Sequence, residues 1–234
     1  MGSRCTLLRP GLTPYDGALE LQRRLAEAVR DGGPAALVLL EHPPTYTLGA
    51  RGQTQSLLLS EAALAARGAA VIRTDRGGDV TFHGPGQLVG YPILDLRRFG
   101  QGPVAYVRAL ESLLMEALAR FGIVGSRRPG RPGVWVGEAK IAAIGVRISR
   151  GITTHGFALN VNTDLSYFDH IVPCGLPGVV VTSMQRLTGD AFDMREVEDV
   201  VAGAFAEEFG CQIEEVHASR QTQLAGAAGE AQRW

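Results

Sequence analysis

Two periodicities divide the chain. From Tyr15 to Arg30 the apolar residues Leu21, Leu25, Ala28 and Val29 recur at the spacing of one helical face, and Gly32-Gly33-Pro34 ends the pattern. Val107, Leu110, Leu114 and Leu118 repeat it between Val104 and Phe121, where Gly122 supplies the stop. A third long helix runs from Met194 to Phe209 with Asp193 as its cap and Gly210 behind it. Ser60, Asp164 and Ser183 mark the starts of short helices, the first ending near Gly68 and the second at Phe168.

Between the helices lie apolar runs of strand length. Ala36 to Glu41 is stopped by His42-Pro43-Pro44, and Ala70 to Thr74, Leu88 to Leu94 and Thr153 to Val161 follow. Val134-Trp135-Val136 and Ile141 to Ile148 form a hairpin across Gly137 to Lys140, and Gln212 to Val216 is a last strand. Arg127, Arg128 and Arg131, set among prolines and glycines, read as a solvated loop. At 234 residues, one α/β domain is the common arrangement. Residues 1–217 form one domain, and 218–234, rich in Ala, Gly and Gln, form a disordered tail.

Composition narrows the function. The 234 residues are 45% hydrophobic and 20% charged, with a net charge of −1, which argues against a nucleic-acid binder. No apolar run reaches the roughly 20 residues of a membrane span, and no secretory pattern opens the chain, so a cytoplasmic protein is expected. Cys5, Cys174 and Cys211 lack the spacing of a disulfide framework or a zinc knuckle, and no metal is expected.

Two residues stand out chemically. Cys174 lies in Ile171-Val172-Pro173-Cys174-Gly175, between a stiffening proline and an open glycine. Lys140 is the only lysine in the chain, every other side-chain cation of the Lys/Arg kind being arginine. An amine can give up its proton when desolvated, whereas guanidinium cannot. A nearby cation stabilises a thiolate, and a neutral amine could instead take the thiol proton; the residues leave both open. His83 and His155 are the other possible bases, each equally open to a structural role. Residues 76–87, R-G-G-D-V-T-F-H-G-P-G-Q, let backbone approach a ligand, but they have neither the P-loop ending nor the dinucleotide spacing.

R-G-G-D-V-T-F-H-G-P-G-Q at 76–87, K-I-A-A-I-G-V-R at 140–147, H-G-F-A-L-N-V-N at 155–162 and I-V-P-C-G at 171–175 together resemble the lipoyl(octanoyl) transferases of lipoate biosynthesis, in the same order. Phe82 departs from the family, which often has tyrosine there. The resemblance implies an α/β (α+β) fold, a mixed β-sheet flanked by helices similar to the catalytic domain of biotin and lipoate protein ligases, and no cofactor. It implies octanoyl transfer from octanoyl-acyl carrier protein to a lysine on lipoyl domains of 2-oxoacid dehydrogenase complexes and the glycine cleavage H protein. Cys174 would carry the acyl thioester and Lys140 would tune it. Acyl binding would fall to Arg76, Gly77, Gly78, Asp79, Val80, Thr81, Phe82 and His83, to Ala143, Ile144 and Gly145, and to His155, Gly156, Phe157 and Ala158. Arg127, Arg128, Arg131 and Arg150 become candidate docking charges for an acidic carrier. An ATP-dependent lipoate or biotin ligase of similar fold is the alternative.

Overall fold

The computed structural model describes residues 3–172 and 178–216. The strands are β1 (Ser3–Leu12), β2 (Ala35–Glu41), β3 (Thr45–Leu48), β4 (Ala70–Arg73), β5 (Val80–His83), β6 (Gln87–Ile93), β7 (Ser126–Arg128), β8 (Arg131–Val136), β9 (Ala139–Ser149), β10 (Ile152–Asn160) and β11 (Cys211–Glu215). The helices are α1 (Tyr15–Arg30), α2 (Glu61–Ala65), α3 (Pro103–Arg120), α4 (Met184–Thr188) and α5 (Met194–Phe209), with 3-10 turns at Thr54–Ser56 and Leu165–His170.

Eight of these strands make a mixed sheet in the order β11-β1-β2-β6-β10-β9-β8-β7. β1 runs parallel to β11 and β2, and the remaining neighbours are antiparallel. Because β2, β6 and the second half of β10 are covered on both faces, their residues are buried almost without alternation. α3 and α5 close one face over Leu37, Leu39, Leu110, Leu114 and Phe205. The apolar stripe of α1, Leu21, Leu25 and Val29, closes the other over Val38, Leu40 and Val89. This is the mixed sheet flanked by helices that the family resemblance implies.

A smaller sheet, β4-β3-β5, hangs beside the large one with its own core of Tyr46, Leu48, Phe82 and Phe168. β3 and β5 were not evident from the pattern, being four residues each and hemmed in by Pro43-Pro44 and by glycines. β1 has Leu7-Leu8 as its only apolar pair; the ten-residue strand is mostly polar or proline-broken, and its pairing with β2 and β11 is what holds it extended.

The arginine-rich stretch is also not a loop. β7 pairs with β8, Arg127 donates to Glu111 at 3.0 Å, and the Arg128 guanidinium lies 4.6 Å over the Trp135 ring while pairing with Glu138. Charge on an edge strand protects it from pairing with other chains, which is how three arginines and a strand coexist. β9 and β10 are joined by Arg150-Gly151, with φ of 53° and 86°, the two-residue turn whose twist matches a hairpin. Cys5 and Cys211 are buried free thiols on the neighbouring strands β1 and β11.

Candidate active site

The site lies at the seam between the two sheets. Residues 76–79 fold flat onto the hairpin β9–β10, with Gly77 N–H donating to Val146 O at 3.0 Å. A Cβ on Gly77 would come within 2.9 Å of Val146 O, and one on Gly145 within 2.8 Å of Gly77 O, so here glycine permits backbone-on-backbone contact. Arg76 staples the loop from inside: its guanidinium donates to Thr47 Oγ1, Thr47 O, Gly77 O and Asp79 O at 2.6 to 3.0 Å.

Beneath the loop is a narrow slot. Its floor is the paired residues Ala143–Ala158, Ile144–Phe157 and Gly145–Gly156, with Arg76 to Thr81 and His83 across it. Thus the three separate motifs are gathered around one cavity. Phe82 is elsewhere: its ring stacks on Tyr167 at 4.4 Å and contacts Tyr46 and Phe168 in the core of the small sheet. Strand alternation puts it on the face opposite Thr81 and His83. Tyr15, Val89 and Tyr91 also line the slot, contributed by α1 and β6. The signal for Tyr91 was present in the sequence as a phenol inside an otherwise apolar strand.

Lys140 stands at one end. It is 7% exposed, its Nζ lies 5.6 Å from the centre of the Trp135 ring, and it lines both the slot and an outer chamber of about 270 Å³ walled by Arg51, Arg131, Trp135 and Val179. That chamber continues through Val107, Gly130, Arg131 and Pro132 into an open surface groove beside Val104, which is 69% exposed, and Arg108. Lys140 N–H donates to Val180 O at 2.8 Å, and Thr182 N–H donates to Lys140 O at 3.0 Å. Cys174 lies outside the described residues. The chain before it is held where Val172 N–H donates to Ser56 O at 2.9 Å, and the chain after it is the segment bonded to Lys140. Arg150 is in the turn at the other end of β9, ten residues from Lys140 or about 33 Å along the strand, and does not share its surface.

His83 belongs to a buried hydrogen-bond chain. Arg76 donates to Thr47 Oγ1, which lies 3.4 Å from His83 Nε2; His83 Nδ1 lies 2.8 Å from Gln87 Oε1. Gln87 Nε2 donates to Phe82 O and Asn160 Oδ1, and Asn160 Nδ2 donates to Thr182 O. Since Gln87 donates through its nitrogen, its oxygen accepts, so His83 carries its proton on Nδ1. Burial holds His83 well below the usual imidazole range, so it is neutral.

His155 closes the other end of the slot. It has φ of 57°, uncommon for a side-chain-bearing residue, and its backbone N–H donates to Gln22 Oε1 at 2.7 Å. The ring is buried, with Nε2 2.8 Å from Asp75 Oδ1, while Nδ1 has no partner among the described residues. Burial lowers its pKa and the Asp75 carboxylate opposes the shift.

Among the described residues no cluster of three His, Cys, Asp or Glu could hold a metal, and no helix is long and apolar enough to cross a membrane. The chain matches the lipoyl protein ligase A/B catalytic domain over residues 14–206. It is 50% identical over 214 residues to an octanoyltransferase of Gloeobacter violaceus, covering 90% of this chain and 93% of that one. Its fold is similar to the crystal structure of lipoate-protein ligase A bound with ATP, with a TM-score of 0.75 at 16% identity, covering 97% and 94% of the two chains. Biotin protein ligase from Aquifex aeolicus is a more distant likeness, with a TM-score of 0.50 at 16% identity, covering 90% of this chain and 70% of that one. The fold expected from the motifs is therefore the fold found.

Proposed function

We propose a reaction for a chain that belongs to the lipoyl protein ligase A/B catalytic-domain family and, within it, to the octanoyltransferases: it moves an octanoyl group from octanoyl-acyl carrier protein to a lysine on a lipoyl domain. The acceptors are the lipoyl domains of 2-oxoacid dehydrogenase complexes and the glycine cleavage H protein. In the first half-reaction the thiolate of Cys174 attacks the donor thioester carbonyl. A bond forms between its sulfur and the acyl carbon, and the carrier's sulfur leaves and takes up a proton. In the second, the acceptor amine attacks the new thioester, its nitrogen bonds the acyl carbon and loses a proton, and Cys174 leaves as thiolate.

An unperturbed thiol near pKa 8.5 is only a few per cent ionised at neutral pH, so a cation or base beside Cys174 raises the reactive fraction. Lys140 is proposed for that task. The observation that carries the reading is its position: the only lysine of the chain is buried where a narrow slot floored by small and apolar residues meets a chamber open to the surface. The slot suits an alkyl chain, since burying its methylenes at about 0.8 kcal/mol each would contribute on the order of 5 kcal/mol. The chamber and the groove beyond it, with Arg108, Arg127, Arg128 and Arg131 along their walls, suit the approach of an acidic carrier.

Incubation with octanoyl-acyl carrier protein in the absence of ATP tests this. The expected result is an octanoyl adduct on Cys174 that a lipoyl domain discharges, no adduct with Cys174→Ala, and a loss of at least 100-fold in rate with Lys140→Arg if the amine transfers a proton. Dependence on ATP, or an adduct that decays equally fast without an acceptor lysine, would overturn the reading in favour of a ligase or a hydrolase.

A further inference from the structure

Walking along the slot from Lys140, Ala143 faces Ala158, Ile144 faces Phe157, and then Gly145 faces Gly156. The next pair is Val146 and His155, and there the narrow cavity stops. On the far side of the same imidazole is a groove of about 720 Å³, lined by Leu19, Ala26, Thr74, Asp75, Arg147 and Ile152. His155 is thus the residue that lines both spaces, with Tyr91 on the slot side at 6.3 Å between ring centres and Asp75 on the groove side.

We propose that the His155 ring is the end wall of the acyl slot and sets the length of chain accepted, by shutting the slot off from the groove between α1 and the β9–β10 hairpin. This deepens the octanoyl-transfer reading and rests on it. Three features hold the wall in place independently of any ligand. The left-handed backbone at His155 turns the side chain away from the course an ordinary strand residue would take, and the Gln22 amide oxygen fixes that turn through the His155 N–H. Asp75 latches Nε2, and Arg147, the neighbour of Val146 on β9, holds Asp75 from the other side. A bulky residue in a left-handed conformation next to Gly156 is otherwise poorly explained: glycine would adopt the same backbone with less strain but would leave the passage open.

The wall also accounts for the contrast in composition across it. The slot floor is alanine, glycine, isoleucine and phenylalanine, whereas the groove includes Gln22, Asp75, Arg23, Arg30 and Arg73 among its walls. Its inner surface still offers Leu19, Ala26 and Ile152 to a chain that passes the ring. Removing the imidazole would therefore extend an apolar path, and each further methylene buried should favour the longer chain severalfold.

The test uses the whole protein with octanoyl, decanoyl and dodecanoyl carrier protein in parallel. His155→Gly suits the backbone, and His155→Asn tolerates it with a shorter side chain. The dodecanoyl-to-octanoyl ratio of kcat/KM is expected to rise at least tenfold in His155→Gly and by less in His155→Asn, with thermal unfolding monitored alongside. An unchanged ratio in a folded variant overturns the proposal, as would failure of both variants to fold, which would assign the ring to the fold instead. Transfer of octanoyl by the unaltered protein reports separately on the activity itself: if that is absent the underlying reading fails, whereas a flat ratio with normal octanoyl transfer removes only the role of His155.

Discussion

At the scale of single residues, the site depends on what is missing as well as on what is present. Gly133 on β8 has φ of 126°, and a Cβ there would come within 2.4 Å of Ala142 O and 2.6 Å of Lys140 Cε. Gly130, three residues earlier, is also left-handed, with φ of 72°, but a Cβ there meets nothing within 4 Å. The pair compares a left-handed backbone alone with one that also brings collision against the Ala142 carbonyl and the lysine stem. Gly130→Ala should cost about 1 kcal/mol of stability with transfer rate nearly intact, whereas Gly133→Ala should displace Lys140 and cut the rate at least tenfold. Equal rates in the two variants would show that the position of the Lys140 stem is unimportant. The sequence singles out Lys140 as its only lysine and Cys174 by its proline and glycine neighbours, the second lying outside the described residues. Gly133 is not singled out, since its role is to make space for a side chain seven residues away.

The elements were legible to unequal degrees, for physical reasons. α1 and α5 begin and end where the periodicity and caps place them, because propensity, amphipathic spacing and stop signals agree there. β3 and β5 depend on partners distant in sequence, while β7 pairs with the adjacent β8 but is only a serine and two arginines; short runs of this kind carry little signal of their own. The same limit applies to the polar chain that crosses the elements. Arg76, Thr47, His83, Gln87, Asn160 and Thr182 link the glycine loop, β3, β5, β6 and β10 to the segment bonded to Lys140. No two of these residues are adjacent in sequence, and only the pairing of the strands makes them continuous. Gln87→Leu keeps the approximate volume while stripping partners from His83 Nδ1, Phe82 O and Asn160 Oδ1, all buried. Unsatisfied groups of this kind cost roughly 1–3 kcal/mol each, so a loss of about 3 kcal/mol is expected in urea unfolding. An unchanged midpoint would mean that the chain contributes nothing to holding the seam.

For the molecule as a whole, that seam is where the three buried histidines near the slot are found. His42 lies between β2 of the large sheet and the small sheet, with Nδ1 2.6 Å from Thr13 O and Nε2 2.7 Å from the Tyr91 hydroxyl. The Thr13 carbonyl can only accept, so His42 carries its proton on Nδ1 and Tyr91 donates to Nε2. His83 and His42 pack edge to face at 5.7 Å, and His155 touches Tyr91 from the other side. Burial depresses all three, His42 to about 4. A histidine with a folded pKa below its unfolded value of about 6.5 binds more protons when unfolded. Stability is therefore fully present above about pH 6.5 and is lost as the pH falls towards 4. His42 alone, shifted from 6.5 to about 4, corresponds to about 3 kcal/mol over that interval. Urea midpoints measured at pH 7.5, 6, 5 and 4 should fall monotonically, and His42→Asn should flatten the decline while lowering the midpoint at neutral pH. A wild-type midpoint that holds from pH 6.5 to 4 would show that the seam accommodates a charged imidazole. In that case the two sheets would be joined by apolar contact rather than by the neutral histidines between them.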